Sequence, residues 1–136
     1  MLRKILAIVL GVVAGGIVVG VTEAIGHMIY PVPAGLDPTK PELIAEYIRT
    51  APMGALVAVL VSWALGALVA GIVATLIARV ADAKFALIAG GVLLVFSLIN
   101  MFVIPHPGWF RIAGILLFLP MAALGYLLVK PRAERS

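Results

Sequence analysis

The sequence contains no cysteine, and charged residues make up only 12% of its 136 positions. Without thiols, the chain can form no disulfide, no thiolate metal site and no cysteine nucleophile. In soluble domains about a quarter of the residues are charged, so this low fraction of charged residues excludes an ordinary soluble domain. A chain of this length also leaves no room for a separate soluble catalytic module. We therefore expect a single domain over residues 1–136.

Motifs that mark common enzyme classes are also missing. The phosphate-binding pattern GxxxxGK[ST], the GxSxG nucleophile turn and the HExxH zinc motif do not occur. The net charge is +4, but the basic residues lie at the edges of apolar segments rather than in one patch. Orientation in a membrane and contact with anionic lipid explain this distribution better than binding to nucleic acid does. The sequence therefore predicts no nucleotide cofactor and no nucleic-acid partner, and it favours a non-enzymatic protein.

The chain is instead dominated by apolar residues, which make up 64% of it and give a mean hydropathy of +1.23. Four apolar runs cover about residues 5–30, 52–79, 85–104 and 109–129. Each is long enough for a helix to cross about 30 Å of hydrocarbon. Backbone groups in lipid must be satisfied internally, and four strands cannot close a barrel. The predicted fold is an all-α bundle of four transmembrane helices, whose first partner is the lipid bilayer.

The distribution of lysine and arginine predicts the orientation, because cytoplasmic loops carry an excess of both. Seven of the ten basic residues fall on one side of the predicted bundle and three on the other. The first group is Arg3, Lys4, Arg79, Lys84, Lys130, Arg132 and Arg135, and the second is Lys40, Arg49 and Arg111. Both termini are therefore expected in the cytoplasm.

The predicted outer loop, residues 31–51, contains a helical pattern of its own. Thr39 and Glu42 have the spacing of a capping box. Apolar residues then recur on one face and charged residues on the other. The pattern predicts a short amphipathic helix on the outer membrane surface or over the end of the bundle. A simple connector with some helix in it is the alternative.

The first predicted helix carries a stripe of glycines and polar residues. Gly16, Gly20, Glu23, His27 and Tyr30 follow one another at intervals of four, three, four and three residues, which places them on one face. Small residues let a neighbouring helix approach closely. The stripe is therefore expected to face protein, with the two ionisable side chains buried below the outer surface, where such groups usually mark a site.

Three interpretations of Glu23 and His27 stay open. A structural pair that bonds across helices is favoured over the other two. The residues can also handle a proton or a polar ligand, because a carboxylate and an imidazole shift each other's pKa and histidine titrates near neutrality. Finally, a carboxylate and an imidazole four residues apart on a helix can bind one divalent metal ion.

Three further residues are predicted to join this site. His106 lies in a turn between two prolines on the same predicted side as His27, and Asn100 lies on the outer half of the third helix. Asp37 in the outer loop can fold down over them. A metal ion, if bound, would use Glu23, His27 and His106. A histidine between two prolines is otherwise an interfacial residue.

The second predicted helix carries a ladder of small residues at strict four-residue intervals: Gly54, Ala58, Ser62, Gly66, Ala70, Ala74 and Ala78. Such a ladder permits close helix–helix contact along its length. Its partner is another helix of the bundle or a second copy of the chain, which predicts a homo-oligomer or a subunit of a larger membrane complex. Trp63 lies midway along the same helix, where its indole N–H needs an acceptor.

The segment from Glu23 to Pro38, EAIGHMIYPVPAGLDP, together with the later Pro105-His106-Pro107 and Trp109, resembles a group of small bacterial four-helix membrane proteins without an assigned activity. The resemblance implies a bacterial inner membrane and carries over no function. Two functions are therefore considered. An accessory or assembly protein whose ladder helix docks a partner is favoured. The alternative is a transporter or small membrane enzyme that binds a metal, a proton or a small polar ligand at the predicted site.

Overall fold

The computed structural model describes residues 1–37 and 39–131, and all regular structure in these ranges is helical. Arg132 and Arg135, which contribute to the predicted orientation, lie outside the described residues, as does Pro38. The described helices are α1 (Leu2–Ile29), α2 (Pro41–Thr50), α3 (Met53–Ala78), α4 (Lys84–Val103) and α5 (Gly108–Val129).

Four of these helices, α1, α3, α4 and α5, are long and apolar enough to cross a membrane. Each matches one of the four predicted spans to within three residues at either end, and the largest difference is at α1, which starts at Leu2, three residues before the predicted start. Their outer faces expose large apolar side chains, among them Val13, Ile17 and Val21 of α1. This is the surface of a multi-pass membrane protein, because lipid tails solvate such side chains as well as a protein core does.

The central helix of the bundle is α3, which packs against α1, α4 and α5. The contact with α1 is close because two glycines meet: a Cβ added at Gly15 would lie 2.6 Å from the carbonyl oxygen of Gly66. The contact with α5 uses another face of α3, where Gly125 approaches Leu68. The small-residue ladder of α3 thus packs inside the chain, with Ser62, Gly66 and Ala70 buried.

The predicted packing face of α1 differs from the one in the structure. A Cβ added at Gly16 or at Gly20 would meet nothing within 4 Å. Gly11 and Gly15 make the close contacts with α3 instead. The prediction that Gly16 and Gly20 contact a neighbouring helix is therefore wrong within this chain.

The short helix α2 lies between α1 and α3, but its predicted capping box does not form. Its N-cap residue is Lys40, without a side-chain cap. The Thr39 hydroxyl instead donates a hydrogen bond to Asp37 Oδ1 at 2.6 Å. The helix is therefore started by Pro41 at its first position, where the missing N–H costs nothing. We call the end of the bundle that carries α2 and the α4–α5 turn the α2 end.

Candidate functional site

A cavity of about 410 Å³ lies at the α2 end, between the ends of the four long helices and under α2. We call it the α2-end cavity. Much of its wall is apolar, with Ile44 and Ile48 from α2, Leu56 from α3 and Phe110 from α5. Four of the five residues predicted as a site also line it: Glu23, His27, Asn100 and His106.

Glu23 is positioned by a tryptophan of the central helix. The indole Nε1 of Trp63 donates a hydrogen bond to Glu23 Oε1 at 3.1 Å. Trp63 is itself fixed, because it is only 4% exposed and its ring packs edge-on against Phe110 at a centroid distance of 5.2 Å. The half-buried carboxylate is therefore held towards the bundle rather than towards lipid.

The carboxylate of Glu23 keeps unused acceptor capacity. In residues 1–37 and 39–131 the one salt bridge joins Lys84 to Asp82, at the opposite end of the bundle. The indole of Trp63 is a neutral donor and occupies one oxygen. An ionised carboxylate accepts through both oxygens, so Glu23 can still bind a donor or a cation.

His27 and Asn100 bring further polar groups to the same cavity. Both residues are exposed, on α1 and α4 respectively. Neither side chain has a hydrogen-bond partner within the described part of the chain. Polar side chains this close to hydrocarbon normally have a hydrogen-bonding partner. Because these two side chains have none among the described residues, both are available to a ligand.

His106 presents one defined ring nitrogen. Its Nδ1 lies 2.7 Å from the carbonyl oxygen of Ile104, and its ring stacks on Phe110 at 4.6 Å. Because a carbonyl only accepts, Nδ1 carries the hydrogen, which leaves Nε2 of the neutral ring as an acceptor. Burial lowers the pKa of His106, and the positive charge of Arg111 lowers it further, against the opposing effect of the Ile104 hydrogen bond.

The lowered pKa of His106 predicts how the fold responds to pH. The unfolded chain takes up this proton near pH 6.5, before the folded chain does. The contribution of neutral His106 to stability is therefore complete above about pH 6.5 and is lost as the pH falls through the lowered pKa. In His27→Gln, which leaves one histidine, the NMR midpoint of His106 is expected below 6.5, and Arg111→Ala should raise it. A midpoint at or above 6.5 would contradict the half-buried position.

Asp37 does not line the cavity. Its carboxylate accepts hydrogen bonds from the backbone N–H of Thr39 at 2.9 Å and from the hydroxyl of Thr39, and both bonds lower the pKa of Asp37. The residue is absent from the cavity wall, to which its neighbour Leu36 belongs. A local turn uses the Asp37 carboxylate instead, and its closing over the cavity stays a prediction.

The predicted metal site is also not assembled. Among the described residues, no three histidine, aspartate or glutamate side chains are grouped closely enough to hold a metal ion. Glu23, His27 and His106 line one cavity without forming such a group.

The sequence analysis did not predict Tyr47 as part of the cavity wall, nor Trp63 as the partner of Glu23. Tyr30, which lies on the predicted stripe with Glu23 and His27, also lines the cavity. One signal in the sequence pointed to the pair of Trp63 and Glu23. The indole N–H of Trp63 needs an acceptor in the middle of a span, and Glu23 is the one acidic residue within the four predicted spans.

Comparison of the chain with protein-family models, with curated proteins and with solved structures gives no match. The shape of the α2-end cavity and the chemistry of its lining side chains are therefore what indicates a function.

Proposed function

We propose that this chain is a ligand-binding membrane protein, and that its α2-end cavity holds a small molecule with an apolar body and a cationic or hydrogen-bond-donating end. One observation carries the proposal: Glu23, His27, Asn100 and His106 share a cavity with a largely apolar wall. Its volume of about 410 Å³ falls in the usual range for small-molecule sites, about 300–1,000 Å³.

The polar groups define the ligand's head. Glu23 offers a carboxylate oxygen, neutral His106 offers Nε2, and Asn100 offers its amide oxygen. Among the described residues no lysine or arginine lines the cavity. Glu23 is the one acidic residue that the described part of the chain contributes to this wall. Its carboxylate is complementary to an ammonium or another strong donor, because charge-assisted hydrogen bonds to a carboxylate are the strongest available there.

The accessory role is less well supported. It requires the ladder of α3 to be open to a partner, whereas Ser62, Gly66 and Ala70 are buried between the helices of this chain. The close approach of Gly15 to Gly66 uses that surface within the bundle. Ligand binding needs no further surface, so it is the function we propose.

We further propose that the protein lies in a bacterial inner membrane with both termini in the cytoplasm. The orientation is supported by the count of seven basic residues against three in the sequence, and the bacterial membrane by the resemblance of residues 23–38 described above. The α2-end cavity would then open at the outer surface of that membrane. A homo-oligomer or a larger complex remains compatible with this arrangement, because the faces of α1 exposed to lipid include Val13 and Ile17.

The proposal is tested with n-hexylammonium as the probe. The chain has two tryptophans, so Trp109→Phe leaves Trp63 as a single fluorophore beside Glu23. In nanodiscs of zwitterionic phosphatidylcholine, n-hexylammonium is expected to change the Trp63 emission saturably. Glu23→Gln should weaken this binding about tenfold or more, since a hydrogen bond to a charged group contributes about 1.5–3 kcal/mol.

The controls separate head-group recognition from simple partitioning into lipid. Gln keeps an acceptor for the Trp63 indole, so the Glu23→Gln protein should fold normally while losing the charge. Hexanoate has the same chain length and the opposite charge, and it should give no saturable change. Equal affinity for the two heads, or unchanged affinity in Glu23→Gln, would refute the proposed function.

A further inference from the structure

A second pocket of about 260 Å³ lies between α1 and α4. Gly16 and Val19 of α1 form one side of it, and Leu93 and Phe96 of α4 form the other. Trp63 of α3 also lines it. Because the pocket is open towards the outside of the bundle, we call it the α1–α4 groove.

The α1–α4 groove adjoins the α2-end cavity. Asn100 lines both spaces. Trp63 links them as well, because its ring lines the groove while its Nε1 donates to Glu23 in the cavity wall. The two spaces are therefore neighbours that meet at Asn100 and at the Trp63–Glu23 pair.

The depth of the groove identifies its surroundings. At a rise of about 1.5 Å per residue, Asn100 lies about 4.5 Å from the α2 end of α4, and Leu93 lies about 15 Å from it. Gly16 lies about 20 Å from the same end of α1. A membrane of about 30 Å places this stretch within hydrocarbon. An apolar groove open to lipid at that depth is filled by a hydrocarbon chain, because water is excluded there.

We propose that the α1–α4 groove holds the alkyl chain of the molecule whose polar end occupies the α2-end cavity. The ligand is then a single-chain membrane amphiphile with an ammonium or similar donor head, and it enters sideways from the bilayer. This inference rests on the proposed function and narrows its ligand class. Gly16 leaves space for the ligand's alkyl chain, which a side chain at this position would fill. Asn100, which lines both pockets, lies where the alkyl chain meets the ligand's polar head.

The test uses hexadecylammonium that carries a diazirine midway along its chain, in phosphatidylcholine nanodiscs. In the wild type the photolabel is expected on the groove residues of α1 and α4, around Val19 and Phe96. Gly16→Leu should lower this labelling tenfold or more by filling the groove. The matched control is Gly91→Leu, since Gly91 also has open space around it and lines neither pocket; labelling should not change there.

The outcomes separate this inference from the proposed function. Binding of n-hexylammonium at Trp63 should be the same in Gly16→Leu as in the wild type, because Gly16 does not line the cavity that holds the short probe. If n-hexylammonium binds but the photolabel is spread around the outside of the bundle, the groove is excluded and the cavity stands. If n-hexylammonium does not bind the wild type, the proposed function fails as well. The labelled positions in the wild type decide the question even where Gly16→Leu does not fold.

Discussion

Gly15→Leu is expected to destabilise the bundle by about 3 kcal/mol, the upper part of the usual range for overpacking. A Cβ at this position would lie 2.6 Å from the carbonyl oxygen of Gly66 and 3.0 Å from the Cβ of Ala70. The nearest obstacle is backbone, so α1 and α3 would have to separate. At the next residue, Gly16→Leu should leave stability nearly unchanged, because a Cβ there meets nothing within 4 Å.

The lack of native cysteine makes this comparison direct. Ser62 is 2% exposed, and its hydroxyl bonds to Ala58 in its own helix, so Ser62→Cys introduces a buried thiol with little change in shape. Its rate of maleimide labelling reports opening of the bundle. A loss of about 3 kcal/mol corresponds to labelling roughly 100-fold faster. Equal rates for the Gly15→Leu and Gly16→Leu proteins would contradict the contact between α1 and α3.

Trp63→Ala is the second change with a large expected effect, a loss of about 3 kcal/mol or more in the free energy of unfolding. The side chain fills the space between Phe110 and Phe118, and its centroid lies 5.2 Å and 5.7 Å from theirs. Its removal leaves a cavity and also deprives Glu23 of its donor. Trp63→Phe keeps most of the ring and should cost about 1 kcal/mol, the contribution of a hydrogen bond between membrane helices.

A double-mutant cycle isolates the hydrogen bond from the packing. Trp63→Phe and Glu23→Leu are combined, and stability is followed through the thiol at position 62. If Trp63 Nε1 donates to Glu23 as described, the two changes should be non-additive by about 1 kcal/mol. Additive effects would show that the carboxylate is held by something else, and the argument for its free oxygen would fail.

The four membrane spans were accessible from the sequence because bilayer thickness sets the length of an apolar helix. The run predicted over residues 85–104 corresponds to α4, Lys84–Val103, and the run over 109–129 corresponds to α5, Gly108–Val129. Proline and charge mark where each run stops, and both are local signals. Such spans can be predicted without knowing which helices contact each other.

The rotation of each helix was not accessible in the same way. The sequence of α1 contains two glycine pairs four residues apart, Gly11 with Gly15 and Gly16 with Gly20. Spacing alone does not choose between them. In a soluble helix the polar face would identify the outside, but lipid is as apolar as the core. The choice depends on where Gly66 and Ala70 of α3 lie, which is a property of the packed bundle.

The sequence by itself determined the chain's membrane class, its four apolar spans and the presence of Glu23, His27, Asn100 and His106 near one end of them, because hydropathy and helical spacing are read along the chain. Only the tertiary structure decided that these four line one cavity, that Trp63 holds Glu23, and that Asp37 is absent from the cavity wall. The reason is distance along the chain. Glu23 and Trp63 are separated by 40 residues, and their meeting depends on how closely glycines let α1 and α3 approach.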